Sequence, residues 1–459
     1  MRTWIREFLS NDHLVTVRKN WLWAAIGAAG MVIHAGTAAL RLSTFFPSPR
    51  LLDFSGFYAS AWAVRLGMSP YNLPTDWLRS LQITQAIPFT PPPIYNPPFW
   101  PWLLQPLTWL KFTPAVWVWL AFNLVLLLGS SIALANIAGY RSWWVRLALF
   151  LVVLTFGPVF LDLTLGQTSV LLLATALVIG RSLSSDHRTA PVLAAASAAL
   201  GVGSKLFPLV WVGAWAFMRR WREFVLAVLL LVIIFGAGFA SSPGSSREYW
   251  AYLFRERLAT SSETTSVDDQ ALIAWLDRLV RPQAFDVSGF GVEQRTTVVW
   301  SPSWSVDARA VRWIGYVVLG LLLLPCLFLL WRSSQKTQEA IFYLWVLYGL
   351  IALLHIERYN HVLLLPAMAW LWGRGKWQRS VVVVAYALVG LSRLTHLWAM
   401  ILPAPWGPLS SGFGMYAVFA LGGAIAICVW PSSTRSVTSL TAAHEIGRAS
   451  CRERVLPGV

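Results

Sequence analysis

Apolar runs of about twenty residues, the length that crosses a bilayer as a helix, recur from Trp21 to Trp430. No other feature constrains the chain as tightly, because in lipid every backbone N–H and C=O must be satisfied within the segment. Candidate spans fall near 21–41, 97–111, 114–137, 144–162, 166–181, 190–217, 223–240, 309–331, 338–354, 360–373, 377–400 and 410–430. The fold class that follows is all-α, a polytopic transmembrane protein of about ten to thirteen spans, some short or re-entrant. Residues 1–436 read as one membrane domain. Composition agrees: 57% of the 459 residues are hydrophobic and only 12% charged, too few charges to cover a water-facing surface.

The 28 tryptophans gather at segment ends, as at Trp21 and Trp23, Trp143 and Trp144, Trp370 and Trp372, where amphipathic rings settle at headgroup level. A net charge of +16 invites a nucleic-acid reading, but the basic residues sit in short clusters beside apolar runs, the positive-inside pattern. Nucleic acid is excluded as a partner on that ground. Cys326, Cys428 and Cys451 have no paired spacing for a disulfide or a metal site. The first run, Trp21 to Leu40, is too long for a signal h-region and lacks a small-residue cleavage site, so it reads as a retained first helix.

Orientation comes from the short connections. Arg2, Arg6, Arg18 and Lys19 precede the first span; Arg219, Arg220 and Arg222, then Arg332 and Lys336, then Arg374, Lys376 and Arg379, then Arg435 follow at alternate turns. All are expected to face the cytoplasm, together with the N-terminus of a multi-pass plasma-membrane protein. Arg141 and Arg146 break this pattern if 97–111 is a full span and obey it if that run is re-entrant; the residues alone leave both open. Two polar segments, 42–96 and 241–308, are then extracytoplasmic. The second carries nine acidic and six basic residues, with helix-like stretches at Arg247–Leu258 and Asp269–Leu279 and a Ser/Thr-rich linker at Thr260–Ser266, and is expected to pack on the membrane domain. Glu445–Val455 reads as an in-frame translation of a common sequencing adapter, so the tail 437–459 is expected to be disordered and in part an artefact.

Candidate chemistry concentrates on the extracytoplasmic side. In Asp53-Phe-Ser-Gly-Phe-Tyr-Ala-Ser-Ala-Trp62, Phe54, Phe57, Tyr58 and Ala61 keep helical spacing, which predicts an amphipathic helix at the outer interface with Asp53 at its start. Asp53 reads either as a helix N-cap or as a general base, and the two are compatible. Pro91-Pro-Pro-Ile-Tyr-Asn-Pro-Pro98 imposes extended backbone, as a rigid lead-in to a helix or as a loop presenting Tyr95 and Asn96. Gln167 interrupts an apolar stretch and reads as interhelical glue or as a substrate contact. Lys205, inside the 190–217 run, needs a counter-charge, a snorkelling route or a wet cavity; two half-spans meeting near Lys205 and Pro208 would place it beside Asp53, able to bind a phosphate. His355-Ile-Glu-Arg-Tyr-Asn-His361 is the densest ionisable cluster between two spans. It reads as a solvated turn, as an ion pair of Glu357 with Arg358, or as part of a site; a zinc reading of the two histidines lacks a second motif, and no metal or other cofactor is assigned.

In order and approximate spacing these segments resemble the polytopic membrane enzymes of glycosyltransferase family 87, in the C-type superfamily. The matches are Asp53-Phe-x-x-Phe-Tyr58 with Gly67-x-x-Pro-Tyr71, Tyr95-x-Pro-Pro-Phe99, Leu165-Gly-Gln167, Lys205-Leu-x-Pro208, and His361 ahead of Leu-Leu-Pro366. The resemblance implies transfer of a hexose, usually mannose, from a polyprenyl-phosphate carrier to a glycolipid or polysaccharide acceptor on the outer face, as in cell-envelope biosynthesis. It implies Asp53 as the catalytic base, Lys205 and Arg358 on the donor phosphate, and Tyr58, Tyr95, Asn96, Gln167, His355, Glu357 and His361 lining the substrate pocket. Many relatives carry Trp-x-His-His where this chain has Arg358-Tyr-Asn-His361, and the first loop has no Asp-x-Asp of the kind a nucleotide-sugar enzyme uses. A transporter or lipid flippase also tolerates intramembrane charge and broken helices and is the alternative reading; a non-catalytic assembly factor docking through 241–308 is a third.

Overall fold

A computed structural model describes residues 21–45, 51–241, 243–254, 269–287, 296–300, 306–353, 356–392, 394, 401–402 and 406–430. His355, the Thr260–Ser266 linker, the basic residues before Trp21, Arg435 and the tail 437–459 lie outside the described residues.

The chain is a succession of helices. α1 (Trp21–Phe45) is followed by α2 (Leu52–Arg65), α3 (Thr75–Gln85), α4 (Phe99–Leu103), a 3-10 turn at Gln105–Trp109 and α5 (Phe112–Ile137). Then come α6 (Trp143–Thr155), α7 (Gly157–Leu165), α8 (Ser169–Leu183), α9 (Ala190–Ser204), α10 (Leu209–Phe217), α11 (Trp221–Ser241) and α12 (Pro243–Tyr252). After α13 (Leu272–Val280), a two-stranded antiparallel ribbon pairs β1 (Gln283–Val287) with β2 (Thr296–Trp300), Gln283 opposite Trp300. The last elements are α14 (Ala308–Trp331), α15 (Gln338–Ala352), a 3-10 turn at Arg358–Leu364, α16 (Leu365–Trp372), α17 (Lys376–Ser392), α18 (Trp406–Ser410) and α19 (Phe413–Trp430). The ribbon is not foreseen from the helical spacing of 241–308; its Thr-Thr-Val-Val-Trp run is β-branched and aromatic, the chemistry that suits a pleated strand.

Among the described residues five helices, α1, α5, α11, α14 and α19, are long and apolar enough to cross a bilayer, and the α6–α7 pair makes a sixth if it counts as one span bent by 65°. The rest of the expected ten to thirteen elements are shorter: α8, α9 and α15 have 15 residues each. Length sorts with position. The long helices show apolar side chains outward, as at Val232, Ile233, Leu321 and Leu324, which lipid solvates and water would not. The short ones fill the centre: thirteen of the fifteen residues of α15 are buried, and α8 packs on α9, α5 and α15. Gly180 lets α8 approach Tyr343 of α15, where a Cβ would lie 2.6 Å from the ring Cε1, the small-residue contact common between membrane helices.

Breaks in the helices are satisfied locally. At the α6–α7 bend Gly157-Pro158 interrupts the ladder, and the Gly157 N–H donates instead to His34 Nδ1 of α1 (2.9 Å). The 190–217 run splits into α9 and α10 around Lys205–Pro208, as two half-spans. The 97–111 run forms only the five-residue α4 and the five-residue 3-10 turn. Neither element is long enough to cross a bilayer as a helix, and Arg141 and Arg146 fall at the same end as the other basic clusters. Contacts gather that end: Arg146 donates to Asn136 Oδ1 (2.8 Å), Trp372 Nε1 to the Tyr140 hydroxyl (2.8 Å), Gln335 to Asp186 (2.6 Å), and the Arg219 guanidinium lies 5.7 Å from the Trp331 ring centre.

Candidate active site

The opposite end holds the candidate chemistry. α2 begins after Leu51, and no side chain caps it. Asp53 is the second residue of the helix, so its carboxylate sits in the first turn without capping it; the positive end of the helix dipole still favours the anion there. α2 itself does not lie with one face open as an interfacial helix: Phe54, Phe57, Tyr58, Ala59 and Ala61 are all buried. Phe54 stacks on Trp119 of α5 (5.4 Å between ring centres), and Phe57 meets Trp100 of α4 edge-on. Gly56 allows the Pro92 carbonyl to close over α2, since a Cβ there would stand 2.6 Å from that oxygen. The helix that rests on the surface is α3, in which Leu81 is buried and Ile83 is exposed.

The turn between α7 and α8 closes over the start of α2. Gly166 has φ +76°, and a Cβ on it would stand 2.6 Å from the Phe54 Cβ and 2.9 Å from the Leu51 Cβ, so only glycine fits both the backbone and the gap. Trp119 Nε1 donates to the Gly166 carbonyl (3.1 Å). This seat directs the next residue: Gln167 Nε2 donates to Asp53 Oδ2 at 2.7 Å. The Gln167 side-chain oxygen Oε1 is buried, with no hydrogen-bond partner among the described residues. Burial raises the Asp53 pKa above the ordinary carboxylate range; the Gln167 hydrogen bond and the Lys205 charge oppose the shift, and the Glu357 charge adds to it.

Lys205 follows the last residue of α9, in the break before α10. Its Nζ donates to Asn360 Oδ1 (3.4 Å) and lies 4.5 Å from the centre of the Tyr359 ring. Asp162, Asp53 and Glu357 are the acids whose fields act on it. The neighbouring Ser204 carbonyl, freed at the end of α9, accepts from Asn96 Nδ2 (2.5 Å), while the Asn96 carbonyl accepts from the Tyr71 hydroxyl (2.8 Å).

Residues of the 241–308 segment hold the Ile356–Glu357 backbone. Asp269 forms an antiparallel bridge with Glu357. The Ile356 N–H donates to Asp269 Oδ1 (3.0 Å), and the Gln270 N–H donates to the Ile356 carbonyl (2.7 Å). Arg278 of α13, fully buried, donates to the Asp269 carbonyl (2.7 Å) and to Ser411 Oγ (3.0 Å). The expectation that this segment packs on the membrane helices is met at these bonds and where Ile273 rests on Gly315 of α14.

Of the predicted site residues, the structure brings together Asp53, Gln167, Lys205 and Glu357. Others are engaged elsewhere. Tyr58 donates its hydroxyl to the Leu110 carbonyl (2.7 Å) and to Gln85 (3.0 Å), among the aromatic rings behind α2 and not at the Asp53 carboxylate. Asn96 is a tie to Ser204 and not a side chain presented by a loop, whereas Tyr95 is 46% exposed. Arg358 is buried and donates to the Ser392 carbonyl of α17 (2.9 Å). His361 is 1% exposed, next to Gly414, with Nδ1 lacking a hydrogen-bond partner among the described residues. Sequence reasoning missed Asp162 and the roles of Asn360 and Ser169, whose Oγ donates to Asn360 Oδ1 (3.1 Å). The signal was present for Asp162: a lone acid at the end of an apolar run is too costly to bury without a partner.

Together these groups form a half-buried carboxylate that can accept a proton and a cation that can meet an anion, both at one end of a helical membrane protein. The family model for glycosyltransferase family 87 matches residues 95–355, more than half of the chain. The chain belongs to glycosyltransferase family 87. No curated protein matches it. Gln167 and Lys205 of this family 87 glycosyltransferase fall within the matched residues, while Asp53 and the Arg358–Leu364 turn flank them. Membership sets the chain among membrane glycosyltransferases and not among transporters or flippases.

Proposed function

We propose that this glycosyltransferase moves a hexose from a polyprenyl-phosphate carrier to a lipid or polysaccharide acceptor, at the Asp53 end of the helix layer, on the extracytoplasmic face. Asp53 takes the proton of the acceptor hydroxyl. The acceptor oxygen attacks the anomeric carbon, and the bond from that carbon to the phosphate oxygen breaks, so polyprenyl phosphate leaves as an anion and the proton stays on Asp53. Lys205 neutralises the phosphate charge as it develops, the term with most leverage in such a displacement. Gln167 orients the base, and Glu357 and Asn360 shape the cation's side of the site.

The observation that carries this reading is the Gln167-bonded Asp53 carboxylate lying within the field of Lys205. The outward side follows from the basic clusters, which collect at the other end and by the positive-inside rule face the cytoplasm. A radiolabelled polyprenyl-phosphate hexose supplied with native lipid extract to oriented membrane vesicles tests it. Wild-type protein is expected to form a labelled product from donor on the extracytoplasmic face. Asp53→Asn is expected to insert normally and to transfer at least about 100-fold more slowly, the scale of a lost general base. Wild-type turnover by that variant would refute the assignment.

A further inference from the structure

Asp162 ends no helix and touches no open surface, yet four backbone N–H groups converge on it. Its carbonyl accepts from Gly166 (2.9 Å) and Gln167 (3.0 Å), and its carboxylate accepts from Ser169 (2.8 Å, Oδ1) and Val170 (3.3 Å, Oδ2). The residue is completely buried. α8 has no side-chain cap from its own N-cap residue, Thr168; the cap is delivered from seven residues upstream. Such a cap closes the Gly166–Thr168 turn, and the two side chains that leave the turn run in different directions. Gln167 reaches Asp53, and Ser169 reaches Asn360, the residue that also accepts from Lys205.

A helix cap needs only an acceptor oxygen, which Ser, Thr or Asn supplies without a charge to bury. A buried carboxylate is far more costly unless something charged offsets it. Here the nearby cation is Lys205, on whose charge Asp162 acts together with Asp53 and Glu357. The acid is therefore bonded to the turn on one side and coupled to the cation on the other.

We propose that Asp162 is a positioning residue: by clamping the Gly166–Ser169 turn it aims Gln167 at Asp53 and Ser169 at Asn360, and so holds the base and Lys205 in one arrangement. Its carboxylate is enclosed and bonded, so it does not reach substrate. The inference rests on the transfer reading only for its consequence in catalysis; the coupling of Asp162 to Asp53 stands on geometry.

The test reads Asp53 directly and needs no donor. Dicyclohexylcarbodiimide modifies protonated carboxyls in apolar surroundings, so its labelling of the Asp53 peptide, followed by mass spectrometry across pH, gives a midpoint for that group. Besides Gln167, the charged groups that act on Asp53 are Lys205 and Glu357, and both stay in place in every variant. Loss of the Gln167 bond removes a stabiliser of the carboxylate, so Gln167→Leu is expected to move the midpoint up by about half a unit or more. Asp162→Ala is expected to move it the same way, and the double variant no further than Gln167→Leu alone. Asp162→Asn keeps an acceptor oxygen for the turn and is expected to leave the midpoint near wild type, while Asp162→Leu, which has none and is close in volume, carries the test if Asp162→Ala does not fold. An unchanged midpoint in folded Asp162→Ala or, failing that, in Asp162→Leu overturns the proposal; so do shifts from Asp162 and Gln167 that simply add. Expected shifts in a protein that transfers no sugar would retire the transfer reading and leave the clamp standing.

Discussion

Asp53 does two things a solvated aspartate cannot: it stays protonated to higher pH, because burial disfavours the anion, and it answers to three named neighbours. Both follow through to rate. If Asp53 is the base, the active form is the carboxylate, and it is lost as pH falls through a pKa above the ordinary carboxylate range. The acid limb of kcat/KM is expected at higher pH than an exposed aspartate would give. The neighbours move it in opposite directions: Lys205→Met, which removes a charge that favours the carboxylate, shifts the limb further up, and Glu357→Gln shifts it down. Lys205→Met also slows transfer by about 100-fold or more if the cation meets the leaving phosphate. A pH profile of the three proteins checks both signs, and a limb that ignores both substitutions contradicts the assignment of Asp53.

At the scale of elements, the site depends on a turn and on two helix ends. Gly166→Ala would put a Cβ 2.6 Å from that of Phe54 at a backbone φ of +76°, a combination expected to cost about 1–3 kcal/mol. It should lower the thermal midpoint of the detergent-solubilised protein and slow transfer, since Gln167 rides on the displaced turn; an alanine variant as stable and as fast as wild type would show that the seat is not needed. The sequence carries much of this. Gly-Gln before an apolar helix and Lys-Leu-Phe-Pro in mid-run were both legible as breaks, because charge, amide and proline are each costly inside lipid. Other parts were hidden. The 97–111 run is as apolar as a span and is separated from one only by its prolines, its short length and the pairing of its neighbours. α2 has helical spacing on one face, but its other face is covered by Pro92, which only tertiary structure supplies. The family resemblance set Tyr58 in the pocket and the proline-rich loop set Asn96 there; the bonds they make, to the backbone carbonyls of Leu110 and Ser204, are ones no side-chain pattern reveals.

For the whole molecule, long helices with apolar side chains outward surround short, buried ones. α7, α8 and α9 all end or begin at the level of Asp53; Asp162 caps the start of α8 and Asn96 bonds the end of α9. The opposite end is built differently, around cations and tryptophans, including a cavity of about 550 Å³ lined by Lys336, Arg374, Trp370 and Trp377. The two ends therefore offer a phosphate two alternatives, and the base proposed for transfer, Asp53, stands at the Lys205 end. Cryo-electron microscopy of the protein with polyprenyl monophosphate bound decides between them. The account predicts the phosphate against Lys205, with Asp53 open to an acceptor beside it; a phosphate seated at Lys336 and Arg374, with nothing at Lys205, would contradict it.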